Sequence, residues 1–109
     1  MGNWVLKSED GEAEIDFSAV GNGSVSGTLT FQSVVYDVVG QWAAADSVPG
    51  RNYSAFAVWA SYRESAPEFV AAAGTMAGPG SAPESVAMNL IRTDSTDGLP
   101  YGWSGTLKP

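Results

Sequence analysis

Apolar and polar residues alternate along much of the chain, most clearly in residues 15–31 (IDFSAVGNGSVSGTLTF). Apolar side chains occupy every second position on both sides of Gly21-Asn22-Gly23, with Asp, Ser or Thr at most positions between them. A period of two is typical of a strand with one buried face. Asn-Gly favours a tight hairpin turn, because both central residues of that turn need positive φ. The stretch therefore predicts an antiparallel hairpin with one face in water.

The rest of the chain repeats this design, with turns rich in Gly, Pro, Asp and Ser. Beyond the two hairpin strands, we expect strands at residues 3–7, 33–42, 53–62, 68–77, 84–93 and 101–107. Gly40 is expected to mark a bulge or bend in the fourth strand. Short turns between sequence neighbours predict one all-β domain over residues 1–109, an eight-stranded antiparallel up-and-down β-barrel. A Greek-key sandwich would need longer cross-connections.

The composition argues against several classes of function. Five basic residues stand against twelve acidic ones, for a net charge of −7. Because phosphate contacts need a basic surface, we expect neither a nucleic acid nor an anionic membrane as a partner. The chain has no cysteine and no histidine, which removes thiol nucleophiles, Ser-His-Asp triads and the usual zinc ligands. We therefore expect a non-enzymatic protein with no cofactor and no metal ion.

Two acidic turns could hold a metal ion or a catalytic pair. Residues 8–14 carry oxygen ligands suited to calcium but lack the spacing of a known calcium loop, so solvated charge is the better interpretation. Asp94 and Asp97 lie in a polar turn where Asp commonly hydrogen-bonds to the local backbone, so they do not predict a catalytic pair.

The abrupt start at Met1-Gly2-Asn3-Trp4 leads us to expect a secreted or periplasmic protein whose leader has been removed.

Six motifs follow one another along the chain. They are Gly2-Asn3-Trp4, Gly23-Ser24-Val25-Ser26-Gly27-Thr28, Tyr36 with Gly40, Asp46-Ser47-Val48-Pro49, Ala57-Val58-Trp59 with Tyr62-Arg63, and Trp103-Ser104-Gly105-Thr106-Leu107. In this order and spacing the chain resembles the avidin/streptavidin family over nearly its whole length. The resemblance implies an eight-stranded barrel that binds biotin at one open end and assembles into homodimers or homotetramers.

The resemblance also implies which residues would contact the ligand. Trp59 matches a tryptophan that walls the apolar part of the ligand, and Trp103 matches one that reaches into a neighbouring subunit's pocket. The other matched positions are Leu6, Asp10 (or Ser8), Leu29, Phe31, Val70, Ala72 and Asn89. Several of these positions carry apolar side chains where the family has polar ones that hydrogen-bond the ligand. Each polar group of the ligand that is buried without a partner costs about 1–3 kcal/mol. We therefore expect most of these polar contacts to be missing, and the ligand to be weakly bound biotin or a less polar molecule.

The interior of the expected barrel has two interpretations, which the sequence leaves open. Its inward side chains, expected to be Leu6, Leu29, Phe31, Val70, Ala72 and Ile91, either line an apolar pocket or fill the barrel. The small residues Ala57, Ala72 and Ala87 favour some free space. Trp4 and Trp42 are expected to be structural, closing a barrel end or packing at an interface.

A second resemblance covers less of the chain. The segments GNWVLKS, SGTLTF, YDVVGQWAAADSVP and YGWSGTL are similar to the cyanobacterial and bacterial high-mannose-binding agglutinins. That resemblance implies a glycan-binding lectin whose binding depends on Trp42. The chain departs from the pattern, because Ala43-Ala44 replace a Gly-Gly pair and no second repeat is present. The lectin is the alternative function, together with a filled barrel that serves as a structural or interaction module.

Overall fold

A computed structural model describes the chain except for Met1 and residues 21–22, 45–52, 61–68, 79–82 and 94–99. Its strands are β1 (Gly2–Ser8), β2 (Ala13–Ala19), β3 (Ser24–Phe31), β4 (Val34–Ala44), β5 (Tyr53–Ala60), β6 (Phe69–Ala77), β7 (Ser85–Thr93) and β8 (Pro100–Lys108). They close into an antiparallel barrel in which each strand pairs with its sequence neighbours and β8 returns to β1. The predicted eight-stranded up-and-down barrel is confirmed.

Several sequence predictions fall outside the described residues. They concern Gly21-Asn22 of the hairpin turn, Asp46-Ser47-Val48-Pro49, Tyr62-Arg63, Asp94 and Asp97. Among the residues that are described, no helix is long and apolar enough to cross a membrane.

One apolar core runs through the barrel. Burial alternates along the strands, as the period of two predicts; β2, for example, alternates without a break from Ala13 to Ala19. The inward residues that would either line a pocket or fill the barrel are closely covered: Leu29 and Phe31 are 0% exposed and Ala72 is 5% exposed. A side chain lining a water-filled pocket would keep accessible surface. The burial therefore supports the filled-barrel interpretation for this part of the interior.

Large inward rings lie opposite glycines on the neighbouring strand. The interior of an eight-stranded barrel is only wide enough for side chains, so a large ring needs a neighbour with no side chain. Phe17 pairs with Gly27 across β2 and β3, and Phe56 pairs with Gly74 across β5 and β6. A Cβ at Gly74 would lie 2.9 Å from the Cε1 atom of Phe56. The pairing of ring with glycine thus lets these rings fit inside the barrel.

Gly40 marks a close approach of two strands. Strand pairing runs without interruption through Gly40 on both sides of β4, so the bulge expected there is absent. A Cβ at Gly40 would lie 1.9 Å from the carbonyl oxygen of Ala57. Glycine is needed here because the backbone of β5 occupies the place of a side chain.

Aromatic side chains close the lower end of the barrel, which carries the β2–β3 turn. The ring of Trp4 lies 5.7 Å from Trp42, edge to face, and 6.0 Å from Phe56. The indole N–H of Trp42 donates to the carbonyl oxygen of Val20 at 2.8 Å. The expected structural role of Trp4 and Trp42 in closing a barrel end is confirmed.

The junction of β1 and β8 is the shortest strand pairing in the barrel. Among the residues that the structure describes, only Lys7 with Lys108 and Ser8 with Leu107 are paired there, whereas every other neighbouring pair of strands has at least six paired residues. Residues 100–106 of β8 therefore have no described strand on the side of β1. This gap opens a cleft at the upper end of the barrel, which carries the β1–β2 and β3–β4 turns.

Candidate ligand-binding site

The seam cleft lies between the β1–β2 turn and β8 and has a volume of about 480 Å³. That volume falls within the roughly 300–1,000 Å³ typical of small-molecule sites. The cleft is lined by Ser8, Glu9 and Asp10 on the turn and by Trp103, Gly105 and Thr106 on β8. It exists because β1 ends beside the lower part of β8 and leaves the upper part uncovered.

Asp10 is held in place by local hydrogen bonds. Its Oδ1 accepts from the hydroxyl of Ser8 at 2.6 Å and from the backbone N–H of Glu12 at 2.9 Å. The Ser8 hydroxyl oxygen in turn accepts from the backbone N–H of Ala13 at 3.0 Å. The Ser8 hydroxyl, and next the Glu12 N–H, hold the pKa of Asp10 below its ordinary value. The turn thus presents an ionised, oriented acceptor at the edge of the cleft.

Trp103 forms the apolar wall of the seam cleft. Its indole N–H approaches the other carboxylate oxygen of Asp10 at 3.4 Å. Its ring lies 6.1 Å from the ring of Phe31 and covers Gly105, where a Cβ would come within 2.6 Å of the indole. The structure therefore brings together two predicted ligand-binding residues, Asp10 and Trp103, from positions far apart in the sequence.

A cationic and aromatic cluster lies next to the cleft at the upper end. The guanidinium of Arg92 lies 5.1 Å from the ring centre of Phe31 and 5.6 Å from that of Tyr101. Its Nη2 donates to Oε1 of Gln32 at 2.9 Å, and its buried Nε has no hydrogen-bond partner among the described residues. Tyr101 is 47% exposed. The upper end thus offers an accessible ring beside a cation, which the sequence analysis missed.

Gln32 is presented by a two-residue turn that joins β3 to β4. Phe31 pairs directly with Val34, and the two residues between them have positive φ, 49° for Gln32 and 67° for Ser33. Residues other than glycine seldom adopt this conformation, and when they do it is often near a functional site. No Gly or Asn marks the turn, so the sequence carried no signal for it.

Five of the predicted site residues lie inside the core and not at an open surface. They are Leu6, Leu29, Phe31, Val70 and Ala72, each no more than 5% exposed. They do lie in one cluster, but the cluster is closed to water. The ring of Phe31 also contacts the rings of Tyr101 and Trp103 near the seam cleft.

Trp59 and Asn89 point away from the barrel axis. Trp59, which the resemblance places as a wall of the ligand, lies on the outer face of the barrel: it is 44% exposed, and it is the neighbouring Val58 that is buried. Asn89 is also exposed and pairs with the outward residues Ala73 and Ser104. Ile91 was expected to point inward, but it is exposed. Ala57 and Ala87 were expected to leave free space in the interior, but both are exposed on the outer surface. These two expectations are wrong.

Comparison with protein-family models, curated proteins and solved structures finds no match to the chain. The avidin-like assignment therefore stays a prediction that rests on the sequence motifs.

Within the described part of the chain, no group of three or more acidic side chains is arranged to hold a metal ion.

Proposed function

We propose that the protein is a non-enzymatic binding barrel that holds a small polar ligand in the seam cleft. The observation that carries this proposal is the ionised carboxylate of Asp10, oriented by the β1–β2 turn beside the indole of Trp103. A carboxylate accepts hydrogen bonds only, and an indole face offers apolar contact. The matching ligand has N–H or O–H donors on one edge and an apolar face.

The cyclic urea ring of biotin is one ligand of this kind. Because Leu29 and Phe31 fill the interior, biotin would bind at the surface of the barrel and not deep inside it. A shallow site lacks most of the polar contacts that the family resemblance implies. We therefore expect biotin to bind weakly, and micromolar or tighter binding would contradict the loss of those polar contacts.

A sugar ring is the second candidate, favoured by the exposed ring of Tyr101 beside the seam cleft. Sugars combine several O–H donors with an apolar ring face, which suits a carboxylate between aromatic side chains. The agglutinin resemblance places glycan binding at Trp42, but the N–H of that indole already donates to Val20 and its ring packs on Trp4. The cleft around Asp10 and Trp103 is therefore the better location for a glycan.

Calorimetric titration with biotin and with an oligomannose glycan tests the proposal. We expect one of the two probes to bind the unmodified protein, with affinity reduced at least tenfold by Asp10→Asn and by Trp103→Ala. Asp16→Asn is the matched control, because Asp16 is an exposed carboxylate on β2 away from the cleft, and it should bind normally. If neither probe binds, the filled barrel as a structural or interaction module becomes the better description. We propose separately, from the avidin resemblance, that the chain assembles into homodimers or homotetramers.

A further inference from the structure

A second polar site lies at the upper end of the barrel, centred on the guanidinium of Arg92. The inward residues of β7 are buried up to Leu90, and Arg92 follows in the same row, half-buried where the row reaches the end of the barrel. Its guanidinium lies against the buried ring of Phe31 and the exposed ring of Tyr101. The side-chain amide of Gln32 accepts a hydrogen bond from it. None of these three neighbours carries a charge.

Gln32 uses only part of the hydrogen-bonding capacity of this guanidinium. In an arginine side chain Nε and Nη2 lie on the same edge, and their N–H bonds form a fork that matches the two oxygens of a carboxylate. Gln32 brings one oxygen to this edge, because a side-chain amide has only one acceptor atom. That oxygen accepts from Nη2 at 2.9 Å, whereas Nε is buried without a hydrogen-bond partner among the described residues. The edge of Arg92 is thus a site for two acceptor oxygens that holds one.

The Gln32 amide is placed where a ligand can displace it. Gln32 is exposed on the two-residue turn between β3 and β4, so its amide can hydrogen-bond to water once it leaves Arg92. Its amide nitrogen approaches the hydroxyl of Tyr101 only at 3.5 Å, which is long for a hydrogen bond. The ring of Tyr101 is 47% exposed beside the guanidinium and offers an apolar surface to an incoming flat ring.

We propose that Arg92 binds the carboxylate of a small aromatic carboxylic acid, which displaces the Gln32 amide. One carboxylate oxygen replaces the amide oxygen on Nη2, and the other accepts from Nε. The ring of the ligand packs on Tyr101. Because the rings of Phe31 and Tyr101 already hold the guanidinium in place, little side-chain freedom is lost on binding. Arg92 is not among the residues that line the seam cleft, so this site does not rest on the proposed function.

The charge of the whole protein sets the strength of this binding. A net charge of −7 repels an anion at long range, although salt at physiological concentration screens much of that repulsion. The attraction comes from one guanidinium at a partly exposed site. We therefore expect a dissociation constant in the millimolar range for a ligand with a single carboxylate.

Nuclear magnetic resonance titration with benzoate and with benzamide tests the site. The two probes share a ring, but benzamide is uncharged and, like Gln32, has only one acceptor oxygen. The reporter is the Nε–H signal of Arg92, which is assigned by its loss in Arg92→Lys. We expect benzoate to shift this signal, and benzamide to bind at least tenfold more weakly.

Two substitutions separate the fork from simple charge. Arg92→Lys keeps the charge but removes the fork, and Gln32→Glu supplies the second oxygen from within the protein. Each should weaken benzoate binding at least tenfold, followed for these variants by the signals of neighbouring backbone amides. Lys7→Gln is the matched control for Gln32→Glu, because it changes the net charge by the same amount at an exposed position on β1. It should bind benzoate normally.

Circular dichroism and the urea midpoint establish that each variant is folded. An Nε–H signal that does not move with benzoate up to about 50 mM would overturn the proposal. So would equal affinities for benzoate and benzamide, benzoate binding that survives both Arg92→Lys and Gln32→Glu, or a loss in Lys7→Gln as large as that in Gln32→Glu. The titration uses neither probe of the seam cleft, so failure of one site is distinguishable from failure of the other.

Discussion

Replacing Gly40 by alanine tests the closest strand approach among the glycines of the barrel. Gly40 lies between Val25 of β3 and Val58 of β5. The added Cβ would lie 1.9 Å from the carbonyl oxygen of Ala57 and 2.7 Å from the Cα of Val58. Both are backbone atoms, so no side-chain rotation can remove the overlap. β4 and β5 must move apart.

The expected loss in the free energy of unfolding follows from that separation of β4 and β5. An ordinary contact needs about 3.5 Å, so the strands must part by more than about 1 Å and stretch at least two ladder hydrogen bonds. Each such bond contributes about 0.5–1.5 kcal/mol net, and overpacking a filled core adds about 1–3 kcal/mol. We expect Gly40→Ala to lower the free energy of unfolding by about 2–6 kcal/mol. For a domain of this size that is a fall in Tm of roughly 10–25 °C.

Gly102→Ala is the matched control. A Cβ there would meet its nearest atom, the carbonyl oxygen of Leu90, at 3.9 Å, an ordinary contact distance. Replacing such a glycine restricts the unfolded chain, so we expect a change between zero and about 1 kcal/mol of stabilisation. Urea unfolding followed by tryptophan fluorescence, with thermal melting by circular dichroism, measures both variants. Equal midpoints for Gly40→Ala and Gly102→Ala would refute the close packing of β4 on β5.

Three further substitutions probe the seam and the upper end. Lys7 and Lys108 face each other across the β1–β8 pairing, so Lys108→Glu should stabilise the barrel by about 0.5–1 kcal/mol in urea unfolding at low salt. That gain should shrink at high salt, and a gain unchanged by salt would contradict the charge argument. Ser33→Gly should raise the free energy of unfolding by about 1 kcal/mol because it relieves a positive φ, whereas an unchanged urea midpoint would argue against strain in that turn. Since the pKa of Asp10 is lowered in the fold, its stabilising effect is present above the ordinary value of 3.8 and lost as the pH falls through the folded value. The stability difference between the unmodified protein and Asp10→Asn should therefore vanish in acid, and a difference that persists there would refute the assignment.

The strands could be predicted because local sequence is sufficient to specify them. All eight strands were predicted from the alternation with a period of two and from turns rich in Gly, Pro and Asp. The strand ends in the structure lie within about two residues of the predicted ends. The tight turn at Gln32-Ser33 could not be found this way. Its side-chain support comes from Arg92, sixty positions further along the chain, where Nη2 donates to the Gln32 amide oxygen. A contact that distant leaves no local pattern.

The candidate site was only partly predictable. Asp10 and Trp103 were both chosen from the family resemblance, and the structure places them in one cleft although they are 93 residues apart. Whether the interior was open or filled could not be decided from the inward residue types alone. It depends on which rings lie opposite which glycines, as with Phe56 and Gly74, and that depends on strand pairing. The cleft itself depends on the short pairing of β1 with β8, which has no signal in the composition.

The outward position of Trp59, which the resemblance places against the ligand, has its physical origin in the sequence of β5. β5 carries apolar residues on both faces, so alternation alone cannot show which set points inward, and a shift of one residue would exchange the two. Pairing with β4 resolves the ambiguity, because Val39 beside Trp59 is exposed while Val38 is buried. Trp59→Asp distinguishes the two arrangements: an inward Trp59 would make the variant unfold, whereas an outward Trp59 leaves a variant that circular dichroism shows to be folded.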